Sequence, residues 1–106
     1  EAVKAKGLSP KSIPVAGIDG VTDAIKAVKA GDMVSILQDA QGQAQGALDV
    51  LMRHMAGASY KPRASLWTDY AGAGLSWGDG TAKQYNVPWT PITLQNADAL
   101  LTKRSK

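Results

Sequence analysis

The stretch Ile13-Pro-Val-Ala-Gly-Ile-Asp-Gly20, followed after a short amphipathic segment by Ile36-Leu-Gln-Asp39, decides how this chain folds. Val15 to Ile18 is a compact apolar run, and Gly17 and Gly20 bracket Asp19 where the backbone must leave a strand. Asp19 therefore falls at a carboxyl-terminal strand edge. In open α/β sheets ligands bind at that edge, and an ionised Asp accepts several hydrogen bonds from vicinal hydroxyls without a metal. A sugar or polyol suits such a group. A turn role suits it equally on spacing alone, because the short side chain of an Asp before Gly readily bonds nearby backbone amides.

Outward from this stretch the pattern alternates strand and helix. Thr22 or Asp23 is placed to cap a helix running to about Ala30, with Ala24, Ile25, Ala27 and Val28 on one face and Gly31 ending it. Met33 to Leu37 reads as the next buried strand. Strand, helix and strand joined by short links predict parallel pairing with a right-handed crossover, hence an α/β protein. Gln41 to Met55 spaces Ala44, Ala47, Leu48, Leu51, Met52 and Met55 three and four apart and should be the longest helix. At the other end, Glu1 to Gly7 reads as the last two turns of a helix closed by Gly7, with no N-cap before it, so the chain is expected to start within an element.

Beyond Gly57 periodicity fades. Tyr60 to Asn86 holds Trp67, Tyr70, Trp77 and Tyr85 among glycines, the texture of a long functional or irregular loop. Aromatic side chains there can stack on apolar sugar faces, but anchoring the loop to its own domain is favoured because they supply the buried area it otherwise lacks. Val87-Pro-Trp-Thr-Pro-Ile-Thr-Leu94 returns to extended form, and its prolines restrict it to an edge strand or a crossing segment. Asn96 then caps a short helix from Ala97 to Leu101, ahead of a basic tail.

Composition narrows the chemistry. With 106 residues, 44% hydrophobic and 20% charged, the chain suits one small domain. The net charge of +3 comes from scattered lysines and the tail, not from a basic stripe with exposed aromatics, so nucleic-acid binding is not expected. The absence of cysteine removes disulfides and thiolate chemistry. No apolar run approaches the ~20 residues that span a bilayer, and the first residues lack the pattern of a signal peptide. His54, the single histidine, reads as a solvated residue or a dipole partner near a helix end, and Met52 and Met55 as core filler rather than soft-metal ligands. Asp39, Gln41, Gln43 and Gln45 read as capping and solvation of a helix start. Gly78-Asp-Gly80 is too short for a calcium or phosphate motif. No nucleophile–base pair, P-loop or dinucleotide fingerprint occurs, and capping explains Asp23 and Asp32 near Asp19, so catalysis, metals and cofactors are not expected.

At Gly17-Ile-Asp-Gly20, Ala27-Val-Lys-Ala-Gly31, Leu37-Gln-Asp39, the Gly46-Ala-Leu helix and Thr90-Pro-Ile-Thr-Leu-Gln-Asn-Ala-Asp-Ala-Leu100, the chain resembles the carboxyl-terminal part of type 1 periplasmic sugar-binding proteins, nearest to the ribose-binding group. The resemblance covers Glu1 to Ala56 and Val87 to Leu101. It implies two α/β lobes joined by three crossing strands, a sugar or sugar alcohol held between them, and the permease of an ABC-type importer as partner. It implies ligand contacts for Asp19 and Gln38, although the interval from Gly31 to Gln38 is one residue shorter than the family pattern. It further implies that residues 1–37 belong to the carboxyl-terminal lobe, that 38–86 carry a crossing segment, the long helix and the aromatic loop of the amino-terminal lobe, and that 87–106 close the fold. The chain would then be a fragment needing the remainder of that fold, in a periplasmic protein or a membrane-associated extracellular one. The alternative on the same fold is the effector-binding domain of a sugar-responsive LacI-type transcriptional repressor.

Overall fold

The computed structural model describes residues 1–104 and shows a mixed α/β chain. Its elements in order are α1 (Ala2–Ala5), β1 (Ala16–Ile18), α2 (Thr22–Lys29), β2 (Val34–Leu37), α3 (Ala40–Ala56), α4 (Leu66–Asp69), a 3-10 turn (Ala71–Ala73), β3 (Thr90–Ile92) and α5 (Ala97–Arg104). They fall into two compact units, one formed by residues 1–38 with the chain from Trp89 onward, the other by Asp39–Pro88. No described helix is long and apolar enough to cross a membrane.

The first unit is built on a three-stranded sheet in the order β1-β2-β3. β1 and β2 are parallel, with Ala16 opposite Val34 and Ile18 opposite Ile36, as a strand–helix–strand unit requires. β3 runs antiparallel to β2, with Leu37 opposite Thr90 and Ile36 opposite Pro91. Pro91 has no amide hydrogen to give a second neighbour, so β3 stays at the sheet edge. Ile25 and Val28 of α2, Leu37, Ile92, and Ala97 of α5 form the core, and Met33, Leu100 and Leu101 pack against it. Ile25 is fully buried, a side chain whose removal from water contributes about 1.5–3 kcal/mol. Lys29 pairs with Asp98 across the two helices, and Lys4 with Asp32 at 2.6 Å ties α1 to the start of β2. Both contacts are on the surface and contribute little.

The opposite face of this sheet is bare. Ile18 is 63% and Val34 68% exposed, and Ile36 is exposed beside them. Parallel strands ordinarily have both faces covered, so this apolar surface lacks the layer its strand type calls for.

Two helix ends differ from the sequence expectation. Val21, not Thr22 or Asp23, takes the N-cap position of α2, with extended backbone and no side-chain cap. The left-handed turn at Asp19 and Gly20 swings the chain into the helix one residue early, leaving Asp23 in the first turn where its charge favours the dipole. Asn96 clamps the loop before α5: its Oδ1 accepts the Thr93 amide at 2.8 Å and its Nδ2 donates to the Pro91 carbonyl at 2.9 Å. α5 itself runs past Leu101 to Arg104.

In the second unit, α3 is the longest helix at 17 residues, and Asp39 caps it by accepting the Gly42 amide at 2.9 Å. The face it buries is not the apolar one. Gly42, Gly46 and Asp49 are inside, while Leu48, Leu51, Met52 and Met55 are exposed. The reason is local: a Cβ on Gly46 would lie 3.0 Å from Leu66 Cδ2, so the bare backbone there lets Leu66 of α4 settle against the helix. Met52 and Met55 are therefore surface residues rather than core filler. Residues 60–86 are also less irregular than the sequence suggests, since α4 and the 3-10 turn lie within them. Trp67, Leu66 and Leu75 are buried there, and Trp67 meets Trp77 and Tyr85 edge-on at 4.9 and 5.1 Å between ring centroids. These aromatics anchor their own unit.

Candidate functional site

Asp19 and Gln38 emerge at one edge of the first unit's sheet. Ile18 and Ile36 are register partners on parallel strands, so Asp19 leaves the end of β1 while Gln38 leaves the end of β2, one residue beyond Leu37. Neighbouring strands lie about 4.8 Å apart, which sets the spacing of their two backbone exits. The side chain of Asp19 is exposed and that of Gln38 half-buried, and among the described residues neither has a hydrogen-bond partner for its polar atoms.

The backbone at Asp19 is unusual. Its φ of 77° makes it the one non-glycine residue in the left-handed region among those described. Gly20 follows at φ 53°, where a Cβ would come within 2.7 Å of Ile92 Cδ1. The turn is held from outside as well, by the Arg104 guanidinium at the end of α5, which donates to the Asp19 carbonyl at 3.2 Å. A left-handed Asp costs about 1 kcal/mol or more relative to glycine, and such outliers gather at ligand sites because the surrounding fold must hold them. A turn alone would be better served by glycine. The carboxylate is the feature that the strained position retains.

A third side chain reaches this edge that the sequence reading left without a role. Trp89 immediately precedes Thr90, the register partner of Leu37, and so stands across from Gln38 in the continued ladder. It is 52% exposed. The signal for it in the sequence was faint, because an aromatic between prolines at an edge strand is as consistent with packing as with binding.

The second unit holds a different polar centre, around Asp49, which is only 3% exposed. Its Oδ1 accepts Tyr60 Oη at 2.7 Å and the Arg63 amide at 2.9 Å, and its Oδ2 accepts the Ala64 amide at 2.9 Å and Trp67 Nε1 at 2.7 Å. Burial pushes this carboxyl up, but the amides of Arg63 and Ala64, with Tyr60 and Trp67, together outweigh burial and hold it below the ordinary carboxylate value. The same bond holds the Tyr60 phenol above its usual value. A cavity of about 440 Å³ opens beside it, walled by Leu48, Met52, Tyr60 and Arg63. Asp49 is nonetheless spent on its own chain. Its donors fill both oxygens, which marks a structural role in pinning residues 60–67 to α3. His54, in the last turn of α3, is exposed. No group of three or more metal-ligating side chains gathers among the described residues.

No family model matches the chain, and no solved structure matches it significantly. A protein of Rhizobium meliloti bearing the name "Putative rhizopine-binding protein" is 41% identical over 97 residues. That alignment takes in 91% of this chain and 25% of the relative, so the chain spans about a quarter of the length of the protein it matches.

Proposed function

We propose that this chain is a segment of a solute-binding protein, non-catalytic, that takes up a sugar or sugar alcohol and presents it to an ABC-type importer outside the cytoplasmic membrane. The observation that carries the reading is Asp19, an exposed carboxylate in a left-handed turn at the carboxyl end of β1, on the strand next to β2, past whose end Gln38 follows. Acceptors fixed on strand ends recognise hydroxyls in a set geometry, and the ordering cost is met by the fold before the ligand arrives. The name of the relative, a binding protein for a small compound, supports the class, and its greater length supports a larger protein around this segment. In that protein the residues of the first unit would serve the carboxyl-terminal lobe and α3 the amino-terminal one, with the ligand in an interlobe cleft that closes on it. The bare sheet face at Ile18 and Val34 and the exposed face of α3 support this, as both have the composition of surfaces made to be covered.

The test is a thermal-shift screen of the intact protein against pentoses, hexoses, inositols, alditols and a rhizopine. A ligand held at about 100 times its Kd should stabilise the folded state by about 2.7 kcal/mol, a shift of several degrees. If no member of the panel raises the melting temperature, the solute-binding reading fails.

A further inference from the structure

We propose that Arg104, at the carboxyl end of α5, is a positioning residue for the solute site: by gripping the main chain of the Asp19 turn it fixes the direction of a carboxylate with which it does not itself pair. This deepens the solute-binding reading and rests on it.

The link runs through one torsion. The guanidinium Nη2 donates to the Asp19 carbonyl at 3.2 Å, from 85 residues further along the chain. The carbonyl carbon and Cβ of Asp19 are both carried by its Cα, so rotation about N–Cα moves them together. Relaxation of φ from 77° to an ordinary right-handed value of about −65° would turn both through about 140°. That rotation takes the carbonyl away from Arg104 and the carboxylate away from its present heading at the strand end. A grip on the carbonyl therefore holds the side chain's direction as well, and it leaves both carboxylate oxygens open to a ligand.

The turn needs such a hold. A non-glycine residue stays in the left-handed region only where its surroundings keep it there. Gly20, at φ 53°, fits closely against Ile92 and Leu37 but has no side chain with which to steady its neighbour. The Asp19 carboxylate makes no hydrogen bond among the described residues, so no bond of its own sets its direction.

The helix that supplies the grip is itself well anchored. Asn96 clamps the loop before α5 to Thr93 and Pro91, and Ala97, Leu100 and Leu101 pack with Ile25 and Val28 of α2. Lys29 of α2 pairs with Asp98 of α5. α2 begins at Thr22, two residues after Gly20. Turn, α2 and α5 thus form a circuit that the Arg104 contact closes. Arg104 forms no ion pair among the described residues that would draw it elsewhere. A basic residue in the last turn favours the helix dipole wherever its side chain points, and Lys103 in the same turn serves that purpose too. The dipole asks nothing of Asp19, so the two roles of Arg104 separate by experiment.

The experiment is a double-substitution cycle on the intact protein, read by calorimetry with D-ribose, D-glucose, D-galactose, myo-inositol and ribitol. For whichever of the five binds the unaltered protein most tightly, Arg104→Ala should weaken binding about two- to tenfold, the contribution of one hydrogen bond. The melting temperature of the ligand-free protein should scarcely move, as is usual for surface substitutions. In the Asp19→Gly background, where no carboxylate is left to aim, Arg104→Ala should cause no further loss of affinity. A merely structural role gives the opposite pattern, a lowered melting temperature and the same loss of affinity in both backgrounds. Full affinity in Arg104→Ala, or an equal loss in both backgrounds, overturns the positioning role and leaves that of Asp19 standing. No binding by any of the five, or unchanged affinity in Asp19→Gly, overturns the solute-binding reading itself and the positioning role with it. Should Arg104→Ala not fold, Arg104→Lys is read by the same criteria, because it keeps the charge at the helix end and removes the guanidinium fork.

Discussion

Trp67 donates its indole N–H to Asp49 at 2.7 Å, joining a side chain in the middle of α3 to the buried face of α4. The bond belongs to a set in which one carboxylate gathers the chain of residues 60–67: Tyr60, Arg63 and Ala64 donate to the same two oxygens. A charged acceptor out of water is tolerable only when so fully engaged. Its removal strands several donors together.

Asp49→Ala should therefore cost about 3 kcal/mol or more of stability, since each buried donor left unpaired costs about 1–3 kcal/mol. Asp49→Asn should be nearly as damaging, because its amide nitrogen turns donors toward donors. Urea unfolding of the intact protein measures both. Loss of less than about 1 kcal/mol in Asp49→Ala would show that the network is not what holds residues 60–67.

The same carboxylate sets an acid limit. Its value in the folded state lies below the ordinary one of about 3.8, so the unfolded chain binds the proton first as pH falls. The stabilisation is complete above about pH 4 and is lost as pH drops through the folded value. The stability difference between the protein and Asp49→Asn should accordingly be constant from about pH 7 to 5 and shrink below about pH 4. A difference that holds steady to pH 3 would contradict this assignment.

For Asp19 the two roles that spacing leaves balanced can be separated by one glycine. Asp19→Gly removes the carboxylate and relieves the left-handed φ of 77°. The melting temperature of the ligand-free intact protein should hold or rise, with about 1 kcal/mol gained from the backbone. Ligand affinity should fall about ten- to hundredfold, the worth of a charged acceptor at about 1.5–3 kcal/mol. Calorimetry beside thermal denaturation reads both, and a destabilised protein with unchanged affinity would establish the turn role.

Gln38→Leu should also weaken binding, but by less. A neutral carboxamide contributes about 0.5–1.5 kcal/mol net, so a loss of about two- to tenfold is expected at little cost in stability for a half-buried side chain. Affinity identical to the unaltered protein would remove Gln38 from the site.

Much of the first unit was readable because its signals are local. Gly17 and Gly20 around Asp19 announce the end of β1, Gly31 ends α2, and Pro91 keeps β3 at an edge. The second unit hid its logic because its partners are remote. Asp49 bonds groups 11 to 18 residues away, with no periodicity linking them. The spacing of Leu48, Leu51, Met52 and Met55 correctly marks an apolar face of α3, but a moment says which side is apolar and not what covers it. Trp89 was masked for a related reason, since prolines on either side explain its backbone without revealing what its ring is for.

Those uncovered faces give the last prediction. In the 106-residue chain on its own, Ile18, Val34 and Ile36 on the sheet and Leu48, Leu51, Met52 and Met55 on α3 would face water. Contiguous apolar surface of this kind is rarely tolerated by a soluble monomer, and a parallel strand pair with one naked face lacks half its burial. The isolated chain should bind an apolar dye such as ANS, associate as its concentration rises, and show no sugar-dependent shift in its amide spectrum. Joined to the rest of a larger fold it should do none of the first two. Sedimentation and amide proton dispersion test this directly: a sharp, monomeric spectrum that moves with added sugar would mean that these faces need no cover and that residues 1–106 are a self-sufficient binding domain.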